Sequence, residues 1–271
     1  MQRLQHTLKT DTLFKLLFTK NPHLLKQLVA HLLKIPIDSI TQFEIINPEI
    51  PPDSIGRKYC YMDIHMVVNG QHVNLEIQVE NEGNFLERVL YYWARIFSNT
   101  LPKGEDYKLL PRTIIISIVN FTLFNDCNEF HSEFQLLEVN RKTRLLDKQI
   151  LHFFELTKLP KIINKDDLSL MWLALFKADT EEELQMIDGY GVDEINEVVT
   201  AYRKLSQSPE FNLMETQRIM AEADEAQAMN NAERRGEERE RERWQGIVSD
   251  KDAEIEELRK QITQLQAESR Q

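Results

Sequence analysis

The chain has 271 residues, 42% of them hydrophobic and 28% charged, enough for one sizeable core with extensions. Its formal net charge of −11 excludes a broad basic surface for nucleic acid, so any contact with a phosphate backbone is expected to be local and metal-assisted. Two cysteines make no disulfide framework, and neither a long apolar run nor an apolar leader is present, so a cytoplasmic protein without membrane spans is expected.

Asp11 to Phe18 reads as a helix start, with Thr10 or Asp11 as N-cap and Leu13, Phe14, Leu17 and Phe18 on one stripe. Pro22 opens a second helix whose leucines run on to Pro36. Ile40–Ile46 is expected as a strand and the proline-rich Asn47–Asp53 as a loop. Lys58–Val68 and Gln71–Val79 then alternate around Asn69-Gly70. That dipeptide is the strongest short-range hairpin signal, since both central residues of the turn take φ > 0. Asn84 is expected to cap a helix from Phe85 to about Leu101, and Arg112–Phe121 reads as a buried strand.

Downstream, Glu133–Val139 and Gln149–Leu156 are expected to pair across the polar Asn140–Arg144 segment. Helices follow over Leu168–Ala178, Thr180–Met186 and Val192–Leu205, with Asp188-Gly-Tyr-Gly191 as a break. Beyond Pro209 the chain reads as one long polar helix. Near its end Trp244, Val248, Ile255, Leu258, Ile262 and Leu265 hold heptad spacing, with Lys251 the polar exception. A homo-oligomer through this helix is expected; the competing expectation is a lone amphipathic helix folded back on the body.

Carried outward from Val68 opposite Gln71, the hairpin register puts Asp63 opposite Glu76. Opposed like charges destabilise a sheet unless something bridges them, and a divalent cation is the natural bridge. Tyr61, Asp63 and His65 share this polar face with Asn74, Glu76 and Gln78. Cys60, Met62, Ile64, Met66 and Val68 share the apolar face with Val73, Leu75, Ile77 and Val79. A solvated polar face is the plain expectation for such a hairpin, but opposed acids with Gln78 beside them favour a site.

The order helix, strand, strand, strand, helix, strand, with Asp63 in the second strand and Glu76-Ile-Gln78 in the third, resembles the PD-(D/E)XK nuclease core. More narrowly, it is similar to the Rpn family of recombination-promoting nucleases and transposases. The matching pieces are Asp11-x-x-Phe14-Lys15-x-x-Phe18, Asp63, Glu76-x-Gln78 and Phe85-x-x-Arg88-x-x-Tyr91-Tyr92 with Arg95. Gly104-x-x-Tyr107, the Pro111–Ile118 strand and His131-Ser-x-Phe134 complete the set, over roughly residues 4–180. The resemblance implies an α/β (α+β) fold. Its restriction-endonuclease-like αβββαβ core would occupy 1–125, accessory strands and helices 126–208, and a long charged helix 209–271.

It also implies a metal-dependent DNA endonuclease with DNA as partner. Asp63 and Glu76 would be the metal-binding carboxylates, the Ile77 carbonyl a third ligand and Gln78 the remaining catalytic residue. Hard oxygen donors suit Mg²⁺ or Mn²⁺, with Ca²⁺ as a further candidate. Gln78 departs from the superfamily's lysine and brings no charge. Lys58 alternates to the opposite face, and Arg57 lies about 20 Å away along an extended strand, so neither restores it. Arg88, Tyr92 and Arg95 would hold the DNA backbone from one helix face, with Tyr91 in support or in packing. Asp11 is either an N-cap or a supporting acid, and His65 and His72 are expected as polar-face residues rather than zinc ligands. The alternative is a catalytically degenerate nuclease fold kept as an oligomeric binding or scaffold protein, as Gln78 and the acidic balance suggest.

Overall fold

Leu13, Phe14, Leu17 and Phe18 recur at helical spacing, and α1 (Asp11–Lys20) forms around them and buries all four. The computed structural model describes residues 2–46, 49–50, 60–61 and 63–268. Arg57, Lys58, Met62 and most of the 47–53 segment lie outside the described residues, as does the side chain of Cys60. α2 (Pro22–Leu32) begins on its proline, which supplies a fixed φ where no intrahelical N–H bond is needed. The next elements are β1 (Phe43–Ile46), β2 (Glu49–Ile50), β3 (Cys60–Tyr61), β4 (Ile64–Val68), β5 (Gln71–Gln78), α3 (Phe85–Asn99) and β6 (Thr113–Val119). β7 (His131–Phe134), β8 (Gln149–Glu155), α4 (Leu168–Lys177), α5 (Glu181–Asp188), α6 (Asp193–Ser206) and α7 (Pro209–Glu268) complete the chain.

Six strands make one mixed sheet in the order β1-β4-β5-β6-β8-β7. β1, β4 and β5 form an antiparallel meander, whereas β6 runs parallel to β5 and β8 parallel to β6. α3 is the crossover between β5 and β6, as a parallel connection requires. The downstream strand pair is present with shifted bounds, and β8 seats it in the same sheet, while β7 closes the far edge. The proline-rich loop differs from expectation: Glu49–Ile50 pair with Cys60–Tyr61 in a separate two-stranded ribbon.

Helices cover both faces of the sheet. Ile64, Met66, Val68, Val73, Leu75, Ile114, Ile116 and Ile118 pack in one cluster with the buried faces of α1, α2, α4 and α6. On the other face Ile115, Val119, Leu151 and Phe153 meet Phe85, Val89 and Ile96 of α3. Each fully buried Leu, Ile or Phe contributes roughly 1.5–3 kcal/mol, so the sheet is held from both sides. The hairpin was expected to be half-buried, and that expectation is corrected: His65, Asn74 and Glu76 on its polar face are all buried.

The chain divides into two units, Met1–Asn212 and Leu213–Gln271. The second is carried by α7 alone, whose Trp244, Val248, Ile255, Leu258 and Ile262 are exposed. Among the described residues no helix is long and apolar enough to cross a membrane.

Candidate functional site

The Asn69-Gly70 turn sets the β4–β5 register as its chemistry requires. Asn69 (φ 48°) and Gly70 (φ 74°) both take the left-handed conformation, and Val68 stands opposite Gln71. The ladder runs outward to Ile64 opposite Leu75 and ends there. Asp63 stands in a bend one residue earlier, after Cys60–Tyr61, which pair with β2. The expected cross-strand pair is therefore corrected in detail. Asp63 docks end-on against β5: its Oδ2 accepts from the Ile77 N–H at 2.8 Å, and its own N–H donates to Glu76 Oε1 at 3.3 Å. The two acids are neighbours by backbone contact rather than by facing across a ladder.

Glu76 is only 7% exposed beneath α3. Its Oε1 also accepts from Asn74 Nδ2 at 2.8 Å. Ser117 stands beside it on β6, and the Ser117 hydroxyl is buried without a hydrogen-bond partner among the described residues. Burial raises the Glu76 carboxyl well above the ordinary carboxylate range, and repulsion from Asp63 adds to it. Burial likewise raises Asp63, against the pull of Lys15 and the Ile77 N–H. A proton can relieve this pair of buried acids. So can a cation.

The donors fit a small hard cation. Two carboxylates supply the charge, and β5 aims a backbone group at the same place. Its even-numbered residues bond across to β6, as His72 N–H to the Arg112 carbonyl and Asn120 N–H to the Gln78 carbonyl show. The backbone of Ile77 therefore points the other way, toward Asp63. Among the described residues, no group of three or more His, Cys, Asp or Glu side chains is disposed to hold a metal. A metal here would be offered carboxylate, carboxylate and carbonyl, with water for the remaining positions, a set that suits Mg²⁺, Mn²⁺ or Ca²⁺ better than zinc.

The other candidate residues fall into three groups. Gln78 and Arg88 join the site: Arg88 Nη2 donates to Gln78 Oε1, Arg88 Nη1 donates to Glu82 Oε2 at 3.1 Å, and the guanidinium charge opposes the upward shift of Glu76. Tyr92 is half-buried on the same helix face and Tyr91 is exposed. Arg95 is corrected. It is 7% exposed, because the helix face it shares with Arg88 turns toward the sheet, and it offers no surface to a DNA backbone. Asp11 is not the N-cap; Thr10 holds that position without a side-chain cap bond.

The residue that sequence reasoning missed is Lys15. Its Nζ lies 2.8 Å from Asp11 Oδ1 and 3.3 Å from Asp63 Oδ1, so a helix cation reaches the acid pair. The only sequence signal was its place in the Asp11-x-x-Phe14-Lys15 motif, off the apolar stripe. His65 and His72 bond to each other, Nε2 to Nδ1 at 3.1 Å, and burial lowers both, so they stand as neutral polar-face residues.

A family model described as PD-(D/E)XK nuclease family transposase matches residues 8–232. No curated protein and no solved structure matches the chain.

Proposed function

The chain belongs to the PD-(D/E)XK nuclease family of transposases, a family of hydrolases acting on nucleic acids with divalent metal ions, and on that premise we propose that it is a DNA endonuclease centred on Asp63 and Glu76. The observation that carries this reading is the buried acid pair at the end of β5, joined by Asp63 docking on the Ile77 amide. The two carboxylates and the Ile77 carbonyl would hold Mg²⁺ or Mn²⁺. When bound, such an ion polarises the scissile phosphate and acidifies a water for in-line attack. Glu76, fixed by the Asn74 amide and the Asp63 N–H, keeps its orientation without help from solvent. Gln78 holds Arg88, and Arg88 with Tyr92 meets the sugar–phosphate backbone. Since the chain carries a net charge of −11, binding is confined to this local patch, and with few phosphate contacts its salt dependence is shallow.

The nicks or breaks so made supply the DNA ends that recombination and transposition consume. The heptad face of α7 joins chains into a homo-oligomer. Asp63→Ala and Glu76→Ala test the centre directly. Each is expected to remove the thermal stabilisation given by Mn²⁺ and to reduce Mg²⁺- or Mn²⁺-dependent cleavage of supercoiled plasmid by about a hundredfold or more, with the fold retained. Unchanged cleavage in both variants excludes this centre.

A further inference from the structure

A buried pair of acids and a polyanionic substrate both call for a fixed positive charge, and position 78 supplies none. α1 supplies one. Lys15 Nζ sits between Asp63 Oδ1 at 3.3 Å and Asp11 Oδ1 at 2.8 Å. Its side chain is 36% exposed whereas that of Asp63 is 13% exposed, so Lys15 is the more solvent-accessible partner of the ion pair. Arg88, the other cation near the pair among the described residues, is held by Gln78 and Glu82 rather than by a carboxylate of the pair.

We propose that Lys15 is the phosphate-holding cation of this centre, kept in place by Asp11. The assignment rests on the nuclease reading above and deepens it. In the metal-free chain the ammonium neutralises one of the two negative charges. When a divalent ion takes Asp63, the bond to Asp11 keeps Lys15 beside the site, and its four-carbon stem turns the charge toward the substrate phosphate. Asp11 lies one helical turn before Lys15, the spacing at which such pairs meet, which gives its side chain a role other than capping. Lys15 thus competes with the metal for Asp63 yet assists the reaction, and a merely structural lysine does not combine the two.

That opposition is the test. Lys15→Met, Lys15→Arg and Asp11→Asn are compared with the wild-type chain by Mn²⁺ titration calorimetry and by plasmid cleavage in Mn²⁺. Lys15→Met is expected to bind Mn²⁺ several-fold to about tenfold more tightly while cutting about a hundredfold more slowly. Lys15→Arg keeps most of the cleavage, and Asp11→Asn falls between the two. Wild-type cleavage by Lys15→Met overturns the assignment. So does a joint loss of Mn²⁺ binding and cleavage in Lys15→Met, which marks Lys15 as structural support for Asp63. If the wild-type chain binds Mn²⁺ but cuts no DNA, the nuclease reading fails, and the calorimetry still decides on Lys15: unchanged or weaker Mn²⁺ binding in Lys15→Met removes it as counter-charge to the pair.

Discussion

Glu76 is an acid in a place water scarcely reaches, and its behaviour with pH follows from that. Burial first, then Asp63, raises its folded-state pKa above the unfolded value. Across the window between those values the unfolded chain has released the proton, so stability falls as pH rises through it. Glu76→Gln is therefore expected to stabilise the metal-free chain, by an amount that grows by roughly 1–3 kcal/mol between about pH 5 and pH 8. Urea denaturation in EDTA at the two pH values measures this, and a gap that stays constant contradicts it. Asp63 and Glu76 were legible in the sequence because alternation and turn chemistry leave a hairpin one register. Lys15 was not: its partner lies on a strand end far along the chain, and helical periodicity says only that it is off the apolar stripe. Arg95 was misread for a related reason. The period places it with Arg88 and Tyr92, but no local signal says that this face turns inward.

At the level of elements, the hairpin turn fixes more than its own two strands. Asn69 Oδ1 accepts from the Thr41 and Gln42 amides at 2.9 and 3.0 Å, and Asn69 Nδ2 donates to the Ser39 carbonyl at 2.7 Å. The residue that permits the turn thus also staples the chain entering β1 to it. Asn69→Ala loses these bonds and places a non-glycine, non-asparagine residue at positive φ, for an expected cost of about 2–4 kcal/mol. Asn69→Gly recovers the backbone but not the staple and is expected to cost about half as much. Denaturation midpoints compare the two, and a silent Asn69→Ala sinks the account of the turn. The element order and the hairpin register were readable from periodicity. The break at Asp63 was not, because the alternation reads Lys58–Val68 as one strand and carries no sign of where its ladder with β5 stops. The cover over the polar face was hidden too, since it comes from α3 packing on Ile115 and Phe153, residues remote from the hairpin in sequence.

For the whole molecule, acidic charge and a nucleic-acid substrate are compatible only if binding is concentrated at one small centre, the role proposed for the acid pair and its flanking cations. α7 carries the proposed second level of organisation, self-association. A chain ending after Met220 keeps Phe211, which packs edge-on against His6, and removes the heptad face. It is expected to sediment in a lower oligomeric state while retaining stabilisation by Mn²⁺; an unchanged state rules out assembly through α7. The heptad spacing is legible in the sequence because its period is local, whereas the second chain proposed to meet it leaves no trace in one. The central claim is the acid pair as a metal centre that cuts DNA, and the most direct measurement is cleavage of supercoiled plasmid by wild-type and Asp63→Ala chains at matched folded concentration, with and without Mg²⁺ or Mn²⁺. The account predicts cleavage by the wild type that EDTA stops and that Asp63→Ala reduces by about a hundredfold or more. Equal cleavage by the two chains, or none by either in the presence of either metal, contradicts it.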